Sequence, residues 1–251
     1  MWGSFAPAAA FTTPVAAHVV EFAEVKPGEN VLDVGTGTGV VAITAARAGA
    51  SVTGLDLTPA LLDVARQNAR VARLAVTWFE GDVENLPFPD GQFDVVVSQF
   101  GHMFAPRPDV AVAEMRRVLK PGGRVAFATW PPEHFVGRLF AFVSKNSPPP
   151  PPGAAPPPQW GSPGIIAERL GDKFDAPFFS RGVMQFPTLS LSHFREFAER
   201  SVGPIQKLIE SSAKEPERLA ALRAELETLA APYYFGNVIR QEYLLTRAKA
   251  R

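Results

Sequence analysis

The stretch VLDVGTGTG, residues 31–39, joins an apolar run to closely spaced glycines and carries one acid, Asp33. The apolar part predicts a buried strand, and the glycines at positions 35, 37 and 39 predict a tight loop where backbone approaches a ligand. Loops that bind dinucleotides have the spacing G-x-G-x-x-G. That spacing requires glycine at position 40, where this chain has Val40. The loop therefore predicts a bound ligand without matching the dinucleotide pattern.

Asp33 narrows the choice of ligand through its charge. A carboxylate about 5 Å from a phosphate charge costs roughly 3 kcal/mol at an effective dielectric constant of about 20. An acid in this position therefore disfavours a dinucleotide or a nucleoside triphosphate and favours a ligand with positive charge. S-adenosylmethionine has an ammonium and a sulfonium group and no phosphate, so it fits Asp33 better.

Strand and helix patterns alternate along the first half of the chain. Such alternation with short turns predicts an α/β fold with a doubly wound parallel sheet. Each predicted strand is almost continuously apolar, as burial on both faces requires. A helix is predicted from residue 13 to residue 25, with Pro14 in its first turn. The predicted strands are 30–35, 51–57, 75–82, 93–100 and 124–130.

Acids close three of these strands in succession: Asp33, Asp56 and Asp82. Because the carboxyl ends of parallel strands meet at one edge of a sheet, the three side chains are expected to ring one crevice. Asp56 is placed to accept hydrogen bonds from two ribose hydroxyls. Asp82 is placed to accept one from an adenine amine, beside the backbone N–H of Val83.

Four segments carry a resemblance to a known family: VLDVGTGTG, GLDLTPALLDVAR, GDVENLPFPDGQFDVVVSQFG and RVLKPGGRVAFATW. They resemble the class I S-adenosylmethionine-dependent methyltransferases, and most of all the group that includes the ubiquinone and menaquinone biosynthesis C-methyltransferases. The resemblance covers about residues 26–130. It implies a Rossmann-like, seven-stranded sheet with an antiparallel last strand, and a cofactor site formed by Asp33, Gly35, Thr36, Gly37, Asp56, Leu57, Asp82, Val83, Ser98 and Gln99.

The rest of the chain is expected to cover this site. We interpret 1–251 as one methyltransferase domain, 26–130 as the cofactor-binding core, and 131–236 as a substrate cap inserted after strand five. A proline-rich segment, 148–158, is predicted to sit above the crevice, although a stiff linker or a docking motif would also explain it. The longer stretch PPPPPGAAPPPQWG resembles a group of uncharacterised bacterial methyltransferases. Apolar lining is expected from Phe135, Phe140, Phe142 and Trp160, or else ordinary core packing.

His102 follows strand four, where the resemblance places the methyl-donor centre. As a general base it would deprotonate a phenol or hydroxyl of the acceptor. The alternative is that His102 lines the pocket or faces solvent, because methyl transfer from a sulfonium depends mainly on alignment and desolvation.

Composition excludes several other classes of function. The chain has 251 residues, a formal net charge of +0 and no cysteine, so bulk charge attracts no nucleic acid and thiolate metal sites are excluded. The four histidines have no metal-ligand spacing, and we predict no metal site. No apolar run is long enough to span a membrane, so a cytoplasmic protein is expected.

Together these patterns predict methyl transfer from S-adenosylmethionine to a small, apolar or aromatic acceptor. Two alternatives stay open at this point: a non-catalytic S-adenosylmethionine-binding regulatory protein, and an NAD(P)-dependent oxidoreductase. The sequence predicts no oligomeric state and does not identify the acceptor.

Overall fold

The computed structural model describes residues 6–149 and 153–251, which form one open mixed sheet with helices on its faces. The helices are α1 (Ala6–Phe22), α2 (Val40–Arg47), α3 (Pro59–Ala72), α4 (Pro108–Val118), α5 (Phe135–Lys145), α6 (Pro163–Leu170), α7 (Leu191–Ser201), α8 (Gly203–Ser211) and α9 (Pro216–Ala230). The strands are β1 (Asn30–Val34), β2 (Ser51–Asp56), β3 (Thr77–Glu80), β4 (Phe93–Gln99), β5 (Leu119–Thr129), β6 (Phe178–Pro187), β7 (Tyr234–Phe235) and β8 (Val238–Lys249).

The strand order is β3-β2-β1-β4-β5-β8-β6, and the two-residue β7 pairs with β8 outside this path. Strands β1 to β5 are parallel to their neighbours, whereas β8 runs antiparallel to both β5 and β6. The predicted α/β, Rossmann-like methyltransferase fold is therefore confirmed. The chain order reverses between β1 and β4, which is where such sheets bind ligands.

The central strands are buried because their residues are apolar on both faces. Val95, Val96 and Val97 of β4 are fully buried, as is Leu32 of β1 beside them. Helices α2 and α3 cover the sheet with one apolar face each. Helix α3 has Thr58 before it and Pro59 in its first turn.

Helix α1 starts earlier than the pattern indicated. It already includes Ala6, and Pro14 lies inside it rather than in its first turn. Proline removes one backbone hydrogen bond from a helix interior. Burial of Val15, Ala16 and Val19 against the sheet compensates for that loss. The boundaries of β3 and β5 also differ from the predicted ranges 75–82 and 124–130, since β3 spans Thr77–Glu80 and β5 begins at Leu119.

The elements between β5 and β8 build a second apolar cluster beside the sheet. Its buried members come from α5, β6, α7, α8, α9 and β8, and they include Phe135, Phe186, Phe194, Ile205 and Leu226. A charged network joins two of these helices on their polar sides. Arg195 and Arg223 both donate hydrogen bonds to Glu199, and Arg195 also binds Glu227. No helix in the described part of the chain is long and apolar enough to cross a membrane.

Candidate functional site

A cavity of about 380 Å³ opens at the carboxyl ends of β1, β2 and β4. Nine of the ten predicted cofactor residues line it, and Ser98 is the exception. The cavity continues without a break toward α1, α5, β6, α7 and α8. One end is therefore polar and the other apolar. The nine residues are Asp33, Gly35, Thr36, Gly37, Asp56, Leu57, Asp82, Val83 and Gln99.

The loops after β1 and β4 touch at the floor of this cavity. A Cβ on Gly101 would lie 2.5 Å from the carbonyl oxygen of Gly35. Gly35 has a φ of +64°, in the left-handed region that favours glycine. The two loops can approach this closely only because both positions are glycine. The close approach fixes the position of the loop backbone at the floor of the cavity.

Asp33 is almost completely buried beneath the glycine loop. Its Oδ2 accepts hydrogen bonds from Thr36 Oγ1 at 2.6 Å and from the backbone N–H of Ala42 at 3.0 Å. Its Oδ1 has no partner in the described part of the chain. Burial raises the pKa of Asp33 to about 7, against the opposing effect of these hydrogen bonds. The carboxyl is therefore poised to ionise fully beside a cation.

Asp56 and Asp82 hold their own loops and still face the cavity. Asp56 accepts from the backbone N–H of Gly37 and of Thr58, both at 2.8 Å, which ties the β2 end to the glycine loop. Asp82 accepts from the N–H of Glu84 at 2.9 Å. Each carboxylate oxygen accepts more than one hydrogen bond, so acceptor sites remain for a ligand. Leu57, beside Asp56, is 62% exposed and offers an apolar surface at this end.

The two residues that close β4 have different positions. Ser98 is buried outside the cavity, where its Oγ donates to the carbonyl of Val34 and accepts from the N–H of His102. The structure gives Ser98 the task of joining β1 to the loop after β4. Gln99 does line the cavity, and its Nε2 donates to the carbonyl of Thr12 in α1 at 3.1 Å. This bond fixes the amide orientation.

His102 does not fit the role of general base. It is 1% exposed, and neither ring nitrogen has a hydrogen-bond partner in the described part of the chain. Its ring packs between Phe127 and Trp160, with centroid distances of 4.4 and 4.6 Å. Burial, helped by the charge of Arg169, lowers the pKa of His102 to about 3. The imidazole is neutral and lines the cavity, as the alternative interpretation expected, and it does not face solvent.

The apolar end of the cavity is lined mainly by aromatic side chains. Phe135 and Phe140 are among them, as expected, whereas Phe142 and Trp160 pack elsewhere in the protein interior. Phe11 of α1 closes this end, with its ring 4.5 Å from that of Phe186. The other apolar residues of this wall are Val136, Leu139, Val143, Met184, Phe194, Phe197, Val202, Pro204 and Ile205.

The described part of the proline-rich segment, residues 148–149 and 153–158, does not line the cavity that it was predicted to cover. Ala155 instead donates a backbone hydrogen bond to Pro106 at 3.1 Å, in the connection before α4. Proline has no backbone N–H to donate, so this segment can donate backbone hydrogen bonds to the rest of the protein only through its few residues other than proline. Residues 150–152 lie outside the described part.

Gln241 is a cavity residue that the sequence patterns missed. It lies on β8 on the inward face, between the buried residues Ile239 and Tyr243. Its amide faces the cavity and makes no hydrogen bond to the described residues, so it is available to a ligand there. The signal was present in the sequence, since a polar residue interrupts an alternating apolar face at this position.

The cavity fits S-adenosylmethionine better than a phosphate ligand. Three carboxylates line it, and none of its described lining residues is Lys or Arg. The unpaired Oδ1 of Asp33 leaves an acceptor for positive charge. A Cβ on Gly37 would meet nothing within 4 Å, so the loop backbone is open to a ligand.

Comparisons of the sequence and the structure with known proteins lead to the same class of protein. Residues 32–127 match the methyltransferase domain family. The uncharacterised protein Rv1403c of Mycobacterium tuberculosis is 35% identical over 94% of this chain and 86% of its own length. The demethylmenaquinone methyltransferase of Thermus thermophilus is 40% identical over 46% of this chain and 53% of its own. The crystal structure of YcgJ from Bacillus subtilis has a TM-score of 0.63 at 17% identity, covering 94% and 97% of the two chains.

The fold, the cavity and the match to the methyltransferase domain family together identify the protein as a class I S-adenosylmethionine-dependent methyltransferase. Its cofactor is S-adenosylmethionine. Within that class, the chain belongs to the same family as the uncharacterised mycobacterial protein Rv1403c. Neither alternative function gains support from these observations.

Proposed function

We propose that this methyltransferase acts on a small, uncharged, apolar or aromatic acceptor held at the apolar end of the cavity. The observation that carries the proposal is the continuity of one cavity from three carboxylates to an aromatic wall. A ligand at the polar end and a second at the apolar end would share this enclosed space. The same continuity supports treating 1–251 as one working domain, with 26–130 binding the cofactor and 131–236 covering the acceptor.

The polar end would orient the cofactor through its three acids. Asp56 would accept from the ribose hydroxyls, and Asp82 from the adenine amine with the N–H of Val83 alongside. Leu57 would pack on the adenine ring, and Asp33 would face the ammonium group. When bound, S-adenosylmethionine supplies an electrophilic methyl group on its sulfonium.

The apolar end would align the acceptor and exclude water. Transfer from a sulfonium gains most from a correctly oriented, desolvated pair of reactants. No described residue of 131–236 that lines the cavity is ionisable, and His102 has a strongly lowered pKa. The proposal therefore assigns no general base. Helix α1 would contribute to closure through Phe11 and through the Thr12–Gln99 hydrogen bond.

A labelling experiment tests the acceptor class. The protein is incubated with a bacterial extract and S-adenosylmethionine that carries a tritiated methyl group, and the extract is then separated into protein, nucleic acid and solvent-extractable fractions. We expect label in the solvent-extractable fraction. The control is Asp56→Asn, which weakens ribose binding and should lower that label at least tenfold. Label in protein or nucleic acid that depends on Asp56 would contradict the proposal.

A further inference from the structure

We infer that Gln241 selects the acceptor by hydrogen-bonding a hydroxyl or carbonyl oxygen of an uncharged aromatic molecule. The inference rests on the proposed function, because it assigns a role to a residue of the same cavity. The inference adds one condition to the proposed acceptor, which must bring an oxygen to Gln241 in a wall that is otherwise apolar.

The first observation is the state of the Gln241 side chain. It lines the cavity and is 7% exposed. No described residue makes a hydrogen bond to its amide, whereas Nε2 of Gln99, the other amide side chain that lines the cavity, donates to the carbonyl of Thr12. Its amide atoms are not among the described side-chain atoms that are both buried and unpartnered, so the amide faces the open space of the cavity, where a ligand or water completes its hydrogen bonds.

The second observation is that the side chains around Gln241 offer its amide no hydrogen-bond partner among the described residues. Gln241 pairs with Met184 of β6, whose side chain is apolar. The adjacent residues on β8, Arg240 and Glu242, are turned to the opposite face of the sheet. Arg240 is exposed there, and Oε2 of Glu242 lies 3.0 Å from Nε2 of His134. Of the described cavity-lining residues beyond position 130, Gln241 is the one polar side chain.

The chemistry of the amide defines the group it binds. A glutamine side chain both donates and accepts hydrogen bonds and has no charge. A charged acceptor group would lose its hydration here without gaining a counter-ion, since the wall around Gln241 is apolar. A neutral oxygen satisfies the amide at no such cost. Sites built to hydrogen-bond a ligand reject analogues that lack the polar group more strongly than they reject a missing methylene.

The test compares two probes of nearly the same shape, 2-naphthol and 2-methylnaphthalene. Their affinities are measured by calorimetry on the full chain, with and without saturating S-adenosylhomocysteine. We expect the unmodified protein to prefer 2-naphthol by about fivefold, the equivalent of one neutral hydrogen bond. Gln241→Met keeps the side-chain length and removes the hydrogen bond, so the ratio of affinities should fall to about one.

Two controls separate selection from a structural role. Met184→Leu changes the shape of the same wall and should alter both affinities by the same factor, leaving the ratio unchanged. Gln241→Met should leave the melting temperature of the free protein unchanged or higher, because the amide faces the cavity and makes no hydrogen bond to the described residues that the substitution would remove. A structural role for Gln241 predicts the opposite, a lower melting temperature with an unchanged ratio.

The outcomes distinguish this inference from the proposed function. An equal ratio in the unmodified protein and in Gln241→Met, or no binding of 2-naphthol at all, would overturn the assignment of Gln241. If S-adenosylhomocysteine does not bind but the ratio falls as expected, the proposed function fails and Gln241 remains a ligand-binding residue.

Discussion

Asp33 combines two properties that rarely occur together, nearly complete burial and an unpaired carboxylate oxygen. Burial raises its pKa to about 7, so the carboxyl is partly protonated at neutral pH when no cation is near. A cationic ligand favours the ionised form and lowers this pKa. The protonation of Asp33 is therefore coupled to ligand binding.

This coupling predicts the release of a proton below neutral pH. At pH 6 the free protein holds a proton on Asp33, and binding of S-adenosylhomocysteine should release up to about one proton. At pH 8 the carboxyl is already ionised and release should approach zero, so affinity rises with pH and levels off above about 7. Calorimetry in buffers of different ionisation enthalpy measures the release. Asp33→Asn should abolish it, and equal release from that variant would assign the proton to another group.

At the scale of elements, the sequence predicts the core better than the cap. The five parallel strands can be predicted because each is a short apolar run bounded by turns. The described part of the proline-rich segment lies outside the cavity lining, and the sequence did not predict this because composition defines the stiffness of such a segment and not the surface it packs on. The sequence left two interpretations of His102 open, because its position in the chain indicated the site, whereas its burial depends on Trp160 in the distant second half. Gln241 could not be assigned to the cavity from the sequence, because the sequence does not show which face of β8 meets the cavity.

The charged network of the cap gives a prediction for helices α7 and α9. Although burial favours the neutral acid, hydrogen bonds from Arg223 and Arg195 hold the pKa of Glu199 below its ordinary value. Glu199→Gln should therefore lower the free energy of unfolding by about 1–2 kcal/mol, measured by urea denaturation. The affinity for S-adenosylhomocysteine should stay within about twofold, since Glu199 does not line the cavity.

Glu196→Gln is the matched control for this change. Glu196 is exposed and lies 3.8 Å from Arg195, so its loss should cost about 0.5 kcal/mol or less. If the two variants are equally stable, the network does not hold the cap helices together.

At the scale of the whole molecule, the sheet and the cap create one cavity with two different ends. The sheet supplies three acids at the ends of β1, β2 and the segment after β3, all within reach of one ligand. The cap and α1 supply an aromatic wall. In the proposed function, the polar end would bind the cofactor and the apolar end would keep water from the reacting groups.

The most direct measurement is a calorimetric comparison of S-adenosylhomocysteine and NADH on the same protein. The carboxylates and the absence of Lys and Arg among the described lining residues favour the first and oppose the pyrophosphate of the second. We predict saturable binding of S-adenosylhomocysteine, with about 2.7 kcal/mol of added stability at 100 times its dissociation constant. We predict no binding of NADH. Saturable heat with NADH and none with S-adenosylhomocysteine would contradict the account.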